Sequence, residues 1–228
     1  MTGLVAEDAL SGRVLWLGGS PCSGKSSIAQ ALARRYGAAV YHCDDHWQAH
    51  CALVTPEAQP QMWRASRMSW DELWGRDVAS LLADELAIYA EEFPMIVADL
   101  RRQVQAHGLV IAEGAALLPG HVARHVADAR QAIWLTPTEA FQRRIYPQRG
   151  PWVQQILAQC TEPDVAFARW MDRDIAFARH VAAQAEAAGL RALWVDGKST
   201  LAENTRTVEE WFAPHLPPAG APEEHGIG

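Results

Sequence analysis

Apolar positions gather into four short unbroken runs, residues 14–17, 109–112, 132–135 and 192–195, each bounded by turn-forming residues. Runs of this length predict strands buried on both faces, since a strand with one wet face would alternate. A weaker run at 38–42 predicts a fifth strand. Between the runs, apolar residues recur every three or four positions, the period of a helix with one buried face. Strand and helix in alternation predict a parallel sheet joined by right-handed crossovers. Trp16, Trp134 and Trp194 fall in mid-strand and are expected in the core.

Helix starts show as Ser or Thr followed three residues later by Glu, because each side chain can bond the other's backbone N–H. Ser69 with Glu72, Thr136 with Glu139 and Thr200 with Glu203 match this spacing. From Trp70 the stripe Trp74, Val78, Leu82, Leu86, Tyr89, Phe93 predicts one helix that Pro94 closes or kinks. A later helix is expected over 163–188, with Val165, Ala168, Met171, Ile175 and Ala178 on its buried side. Arg169 and Arg173 share another face of it, and Gly189 is its expected C′ residue.

The crossovers are unequal. Residues 43–108 and 136–190 exceed what a returning helix requires and read as inserted functional segments. The chain is therefore read as one domain over 1–212, with a helical insertion at 43–108 and a lid with a long helix at 136–190. The proline- and glycine-rich tail, 213–228, is expected to be flexible and to add nothing to the core.

With 228 residues, 49% hydrophobic and 21% charged, the chain is excluded from the disordered class and suits one generous α/β domain. Its 20 Lys and Arg stand against 27 Asp and Glu, a net charge of −7. The whole-chain field thus repels polyanions, and general nucleic-acid binding is not expected. No apolar run is long enough to cross a membrane. The first residues carry Glu7 and Asp8 without a basic region, so no secretory signal is read. Cys22, Cys43, Cys51 and Cys160 form no C-x-x-C pair and suit free thiols. Together these features predict a cytoplasmic protein.

Directly after the first predicted strand stands Gly19-Ser20-Pro21-Cys22-Ser23-Gly24-Lys25-Ser26, a full G-x-x-x-x-G-K-[ST] match in strand-to-helix context. Glycines let backbone N–H groups approach phosphate oxygens, and the following helix N-terminus adds partial positive charge. Residues 19–27, Ser27 included, are the expected nucleotide site. Lys25 is placed on the β- and γ-phosphates and Ser26 on a metal ion. Glu113-Gly114 closes the run 109–112, where a carboxylate can meet the metal or its water.

The second strand ends in His42-Cys43-Asp44-Asp45-His46-Trp47. Ligands of open parallel sheets gather at the carboxyl ends of strands, which puts Asp44 and Asp45 toward the phosphates. Asp44 is the expected general base for a hydroxyl acceptor, and Asp45 can exchange roles with it. His42, His46 and His50 beside Cys43 and Cys51 invite a zinc reading. It is set aside, because His46 and His50 meet only on a helix while His42 belongs to the strand. Arg143, Arg144 and Arg149 suit a closing flap that clamps the transferring phosphoryl group. In the first insertion, Trp70 and Trp74 lie on the apolar stripe and read as core. Trp63, Arg64 and Arg67 are the expected acceptor-binding residues.

On these residues the chain resembles the P-loop small-molecule kinases, the superfamily of uridine, nicotinamide riboside, shikimate, gluconate and adenylylsulfate kinases. Gly19 to Ser26, Asp44, Glu113-Gly114, Arg143-Arg144-Ile145 and Arg149-Gly150 carry the resemblance. It implies a three-layer α/β P-loop NTPase fold, with a five-stranded parallel sheet in the order 2-3-1-4-5 and an arginine-bearing lid. It also implies Mg-ATP as donor, and a small-molecule hydroxyl acceptor under the first insertion: a nucleoside, a sugar or a natural product such as an antibiotic. Two departures stand out: residues 47–99 match no acceptor pocket of that superfamily, and Pro147 interrupts the lid. The competing reading is a P-loop NTPase or nucleotide-binding regulator. Against it, the chain lacks N-K-x-D, L-S-G-G-Q and an Asp-Glu pair at Glu113. A polynucleotide 5′-kinase is disfavoured by the acidity.

Overall fold

The computed structural model describes residue 10 and residues 12–218. The signal-peptide reading, apart from Leu10, and the tail beyond 218 fall outside those residues. Five strands form one sheet: β1 (Val14–Gly19), β2 (Ala39–His42), β3 (Val110–Gly114), β4 (Ala132–Pro137) and β5 (Arg191–Val195). Their order is β2-β3-β1-β4-β5, with every pairing parallel. The topology is the expected one, a five-stranded parallel α/β sheet in the order 2-3-1-4-5.

The helices are α1 (Lys25–Tyr36), α2 (Cys43–Cys51), α3 (Pro60–Ala65), α4 (Trp70–Trp74), α5 (Val78–His107) and α6 (Pro119–Val122). They continue with α7 (Glu139–Ile145), α8 (Pro151–Leu157), α9 (Pro163–Ala187) and α10 (Leu201–Phe212). None of them is long and apolar enough to cross a membrane.

Successive strand residues point to opposite faces, and the two faces have separate cores. Leu15 and Leu17 pack with Ile28 and Leu32 of α1 and with Val208 and Phe212 of α10. Val14 and Trp16 pack with Phe93, Ile96 and Leu100 of α5 and with Phe177 and Val181 of α9. Burying such side chains on both faces stabilises by roughly 1.5–3 kcal/mol each. A third cluster lies away from the sheet. Trp74 and Leu81 of the first insertion meet Tyr146, Val153, Leu157 and Trp170 of the second. There Trp74 stacks on Trp170 with centroids 4.7 Å apart, and Asp71 accepts from both the backbone N–H and the hydroxyl of Thr161.

Several expectations need correction. The stripe from Trp70 is two helices, because Gly75 ends α4 and Asp77 caps α5 by accepting from the Ser80 N–H. Helix α5 then runs through Pro94 to His107. The capping boxes at Ser69 and Thr200 are present, but Thr136 lies inside β4 and Thr138 caps α7 through the Phe141 N–H. Trp194 is 48% exposed, since β5 is an edge strand. Leu216 packs on the core and His215 bonds Asp128 at 2.9 Å, so the start of the tail is anchored. Helix α9 and its C-terminal Gly189, at φ 68, match the reading, but Val165 and Ala168 are exposed and the buried side begins with Ala166 and Trp170.

Candidate active site

Strand β1 is flanked by β3 on one side and β4 on the other. The chain leaves β1 toward β2 and leaves the neighbouring β3 toward β4, in opposite directions, which opens a crevice at their carboxyl ends, and residues 19–24 fill that crevice. The backbone there admits little but glycine. A Cβ on Gly19 would lie 1.9 Å from the Leu135 carbonyl oxygen, and Gly24 caps α1 in the left-handed region, at φ 85. Cys22 adopts φ 67, seldom seen for a side-chain-bearing residue, at a cost on the order of 1 kcal/mol. Ser20 N–H donates to Leu135 O at 3.1 Å. The Ser23 hydroxyl and the Lys25 Nζ both donate to Ser20 O, at 2.9 and 2.8 Å.

This loop walls a cavity of about 210 Å³ lined by residues 21–27 together with Asp44, Glu113, Gly114, Ala115 and Arg149. Lys25 is buried, and burial lowers its pKa while the nearby Glu113 and Asp44 oppose the shift. Burial likewise raises Cys22, to about 11, so its thiol stays protonated at neutral pH. Glu113 is buried and its Oε1 lies 2.6 Å from His42 Nδ1. The two residues are paired across adjacent strands, so His42 fixes the carboxylate, a role the sequence reading missed. Gly114 is required beside it, because a Cβ there would come within 2.6 Å of the Cys43 Cβ. Cradle, buried ammonium, Ser26 and Glu113 together fit a nucleotide phosphate with a divalent cation, the donor set such a group needs.

Asp44 and Asp45 occupy the first turn of α2, where a helix N-terminus favours carboxylates. Asp44 is open to solvent on one side, but the crowding protein raises its pKa, with Lys25 pulling the other way. Helix α2 is braced from behind. His50 sits between Glu92 at 2.9 Å and Asp99 at 3.0 Å, Tyr41 donates to Asp99 at 2.9 Å, and His46 stacks on Tyr41. The three histidines therefore each face a carboxylate. No cluster suited to a metal through His, Cys, Asp and Glu occurs among the described residues.

A larger cavity of about 370 Å³ opens on the other side of Asp44. Its walls come from α2, the α3–α4 segment, α5 and α9, with Trp47, Trp70, Leu73, Ile88 and Tyr89 as apolar surface and Arg76, Glu85, Glu92 and Arg173 as charged groups. Among the described residues, Asp44 alone lines both cavities.

The expected site residues divide. Residues 21–27, Asp44, Glu113 and Arg149 come together around the loop. Arg143 is held by Glu139 at 3.2 Å and Asp172 at 2.6 Å, and Arg144 lies over Phe141; neither lines the loop cavity. Asp45 lines neither cavity. Trp63, Arg64 and Arg67 lie outside the larger one: Arg67 covers the Trp63 ring at 4.4 Å, and Arg64 pairs with Asp84. Trp70, read as core, packs on the third cluster and also lines the cavity, while Trp74 is core as expected.

No family model matches the chain, and no curated protein matches it. Among solved structures the chain is similar to a gluconokinase from Sinorhizobium meliloti 1021, at 17% identity over 89% of this chain and 92% of that one, with a TM-score of 0.39. An uncharacterized protein from Eubacterium ventriosum ATCC 27560 aligns at 11% identity over 88% and 98%, with a TM-score of 0.43. A protein provisionally assigned as a kinase from Chloroflexus aurantiacus j-10-fl aligns at 12% over 90% and 98%, with a TM-score of 0.41.

Proposed function

We propose that the chain is a small-molecule kinase that passes the γ-phosphoryl group of Mg-ATP to a hydroxyl held in the larger cavity. The observation that carries this reading is Asp44, the shared wall between a phosphate cradle and a second cavity with no cradle of its own. A hydrolase needs only the first of these.

Bound Mg-ATP supplies the electrophilic phosphoryl group and a cation that neutralises its oxygens. The loop N–H groups and Lys25 hold the phosphates, while Ser26 and the His42-oriented Glu113 hold the cation or its water. Arg149, on the same cavity wall, faces the charge that spreads over the equatorial oxygens during transfer. Asp44 orients the acceptor hydroxyl and takes its proton, and its raised proton affinity suits that task.

The test is Asp44→Asn, assayed by mass detection of phosphorylated products from a screen of hydroxyl compounds. Transfer is expected to fall roughly 10²-fold with Mg-ATP affinity unchanged. Asp45→Asn, which alters neither cavity wall, should retain most activity. Full transfer in Asp44→Asn removes the base, and ATP turnover indifferent to every acceptor favours a nucleotide-dependent regulator.

A further inference from the structure

The larger cavity carries information about its occupant. Glu85 on α5 lies in its wall and is 7% exposed. One carboxylate oxygen, Oε1, receives Tyr89 Oη at 3.1 Å and lies 3.2 Å from Arg173 Nη1. The other, Oε2, is buried and has no hydrogen-bond partner in the protein. A buried acceptor left unpaired costs about 1–3 kcal/mol, and the cavity that Glu85 lines is where a donor for it can enter.

The charge balance narrows that molecule further. Among the groups that line the cavity, the carboxylates Asp44, Asp84, Glu85 and Glu92 outnumber the guanidiniums Arg76 and Arg173, with Arg64 on Asp84 and His50 on Glu92 from outside the lining. Arg76 is already paired with Asp84, and Arg173 with both Glu85 and Asp174. Neither guanidinium is therefore unengaged by protein carboxylates, and an anion entering here would meet a net negative wall lined with aromatic and aliphatic surface.

Building on the kinase reading, we infer that the acceptor is a neutral or cationic ring-bearing alcohol whose N–H or O–H donor is anchored by Glu85 Oε2, and that the cavity rejects anionic acceptors. Glu85 is thus a specificity-determining residue, acting on the acceptor and not on the nucleotide.

The test presents the purified chain and Mg-ATP with hydroxyl probes grouped by charge. Uridine, adenosine and phenyl glucoside are neutral, glucosamine and kanamycin cationic, and gluconate and shikimate anionic. Phosphorylated product is expected only in the neutral and cationic groups. Preference for an anionic probe overturns the inference and leaves the kinase reading standing, whereas no product from any probe overturns both.

On the best probe, Glu85→Gln should raise the acceptor KM about tenfold, leave the ATP KM unchanged, and relax the rejection of anions, since one negative charge is gone. Should that variant fail to fold, Glu85→Asp keeps the charge but withdraws the oxygen, so the KM should rise while anions stay excluded. An unchanged acceptor KM in whichever variant folds shows that Glu85 serves only to hold Arg173, and overturns the assignment.

Discussion

The two cavities that meet at Asp44 are built by opposite means. The smaller is made by one contiguous turn after β1 and the end of β3, completed by Asp44 and Arg149. The larger is made by side chains from the consecutive helical segments of residues 43–92, closed by Arg173 from the distant α9. A cradle of backbone is fixed by strand geometry and tolerates no Cβ at Gly19. A pocket of side chains is fixed only by how the helices pack, so it can change shape while the sheet stays the same. The first therefore dictates chemistry and the second dictates fit.

The largest effect should come from Lys25→Met, which removes the buried charge of the cradle. Transfer is expected to drop about 10³-fold, the scale of losing a preorganised electrostatic group, with an unaltered thermal unfolding profile. Near-normal turnover in a folded variant would end the assignment of chemistry to this side.

Next comes Trp74→Ala in the cluster that joins the two insertions. Loss of a buried indole costs about 3–5 kcal/mol, read as a lower midpoint in chemical denaturation. Because the Trp74 ring carries Arg173 of the larger cavity, while its cluster touches the loop through Cys22, residual folded protein should lose acceptor binding more than ATP binding. Equal weakening of both ligands would show that the cavities are not independent.

Arg149→Ala should lower transfer by roughly 10- to 100-fold with little change in acceptor-free ATP affinity, since the guanidinium acts on charge that develops in the transition state. Arg143→Ala, whose guanidinium is spent on Glu139 and Asp172, should stay within threefold. The reverse ranking would show that the arginine segment rearranges when the site closes.

The smallest effect concerns pH. Burial raises the Glu85 carboxyl from 4.5 to about 7. Between those values the folded state holds a proton that the unfolded state has released, so this group's contribution to stability is present at low pH and is lost as pH rises toward 7. Glu85→Gln lacks that loss. Its stability relative to wild type should therefore improve by on the order of 2 kcal/mol between pH 5 and pH 8, measured by denaturant titration without ligand. A pH-independent difference would show that Glu85 is ionised throughout.

The unequal construction also explains what could be read from the chain alone. The cradle is local, so Gly19 to Ser26 identifies it, and the unbroken apolar run at 14–17 predicts the sheet that carries it. Thr136 and Thr138 show the limit even of local rules: both threonines lie close before the helix, and only the extent of β4 decides which one caps. His42 and Glu113 are distant in sequence and pair because register aligns the ends of two strands. Arg76, Glu85 and Arg173 converge from separate segments, and no spacing joins them. One signal was present. Glu85, Glu92 and Asp99 stand seven apart along α5, and Glu85 and Glu92 lie on its buried side. Carboxylates at helical period on an apolar face need partners, and here those are Arg173, Tyr89, His50 and Tyr41.

Helix α9 serves both cavities within two consecutive residues. The Ser20 hydroxyl donates to the Asp174 backbone oxygen at 3.3 Å, tying the phosphate loop to the helix, while the neighbouring Arg173 holds Glu85. On the proposed kinase reading, this divides the pocket into walls that can be edited for a new acceptor and walls that are fixed. Trp70, Leu73 and Ile88, on α4 and α5, can be exchanged to reshape the pocket without touching the loop. A change at Arg173 would pull on the same turn of helix that holds the loop in place, so a new specificity gained there would come with a slower enzyme.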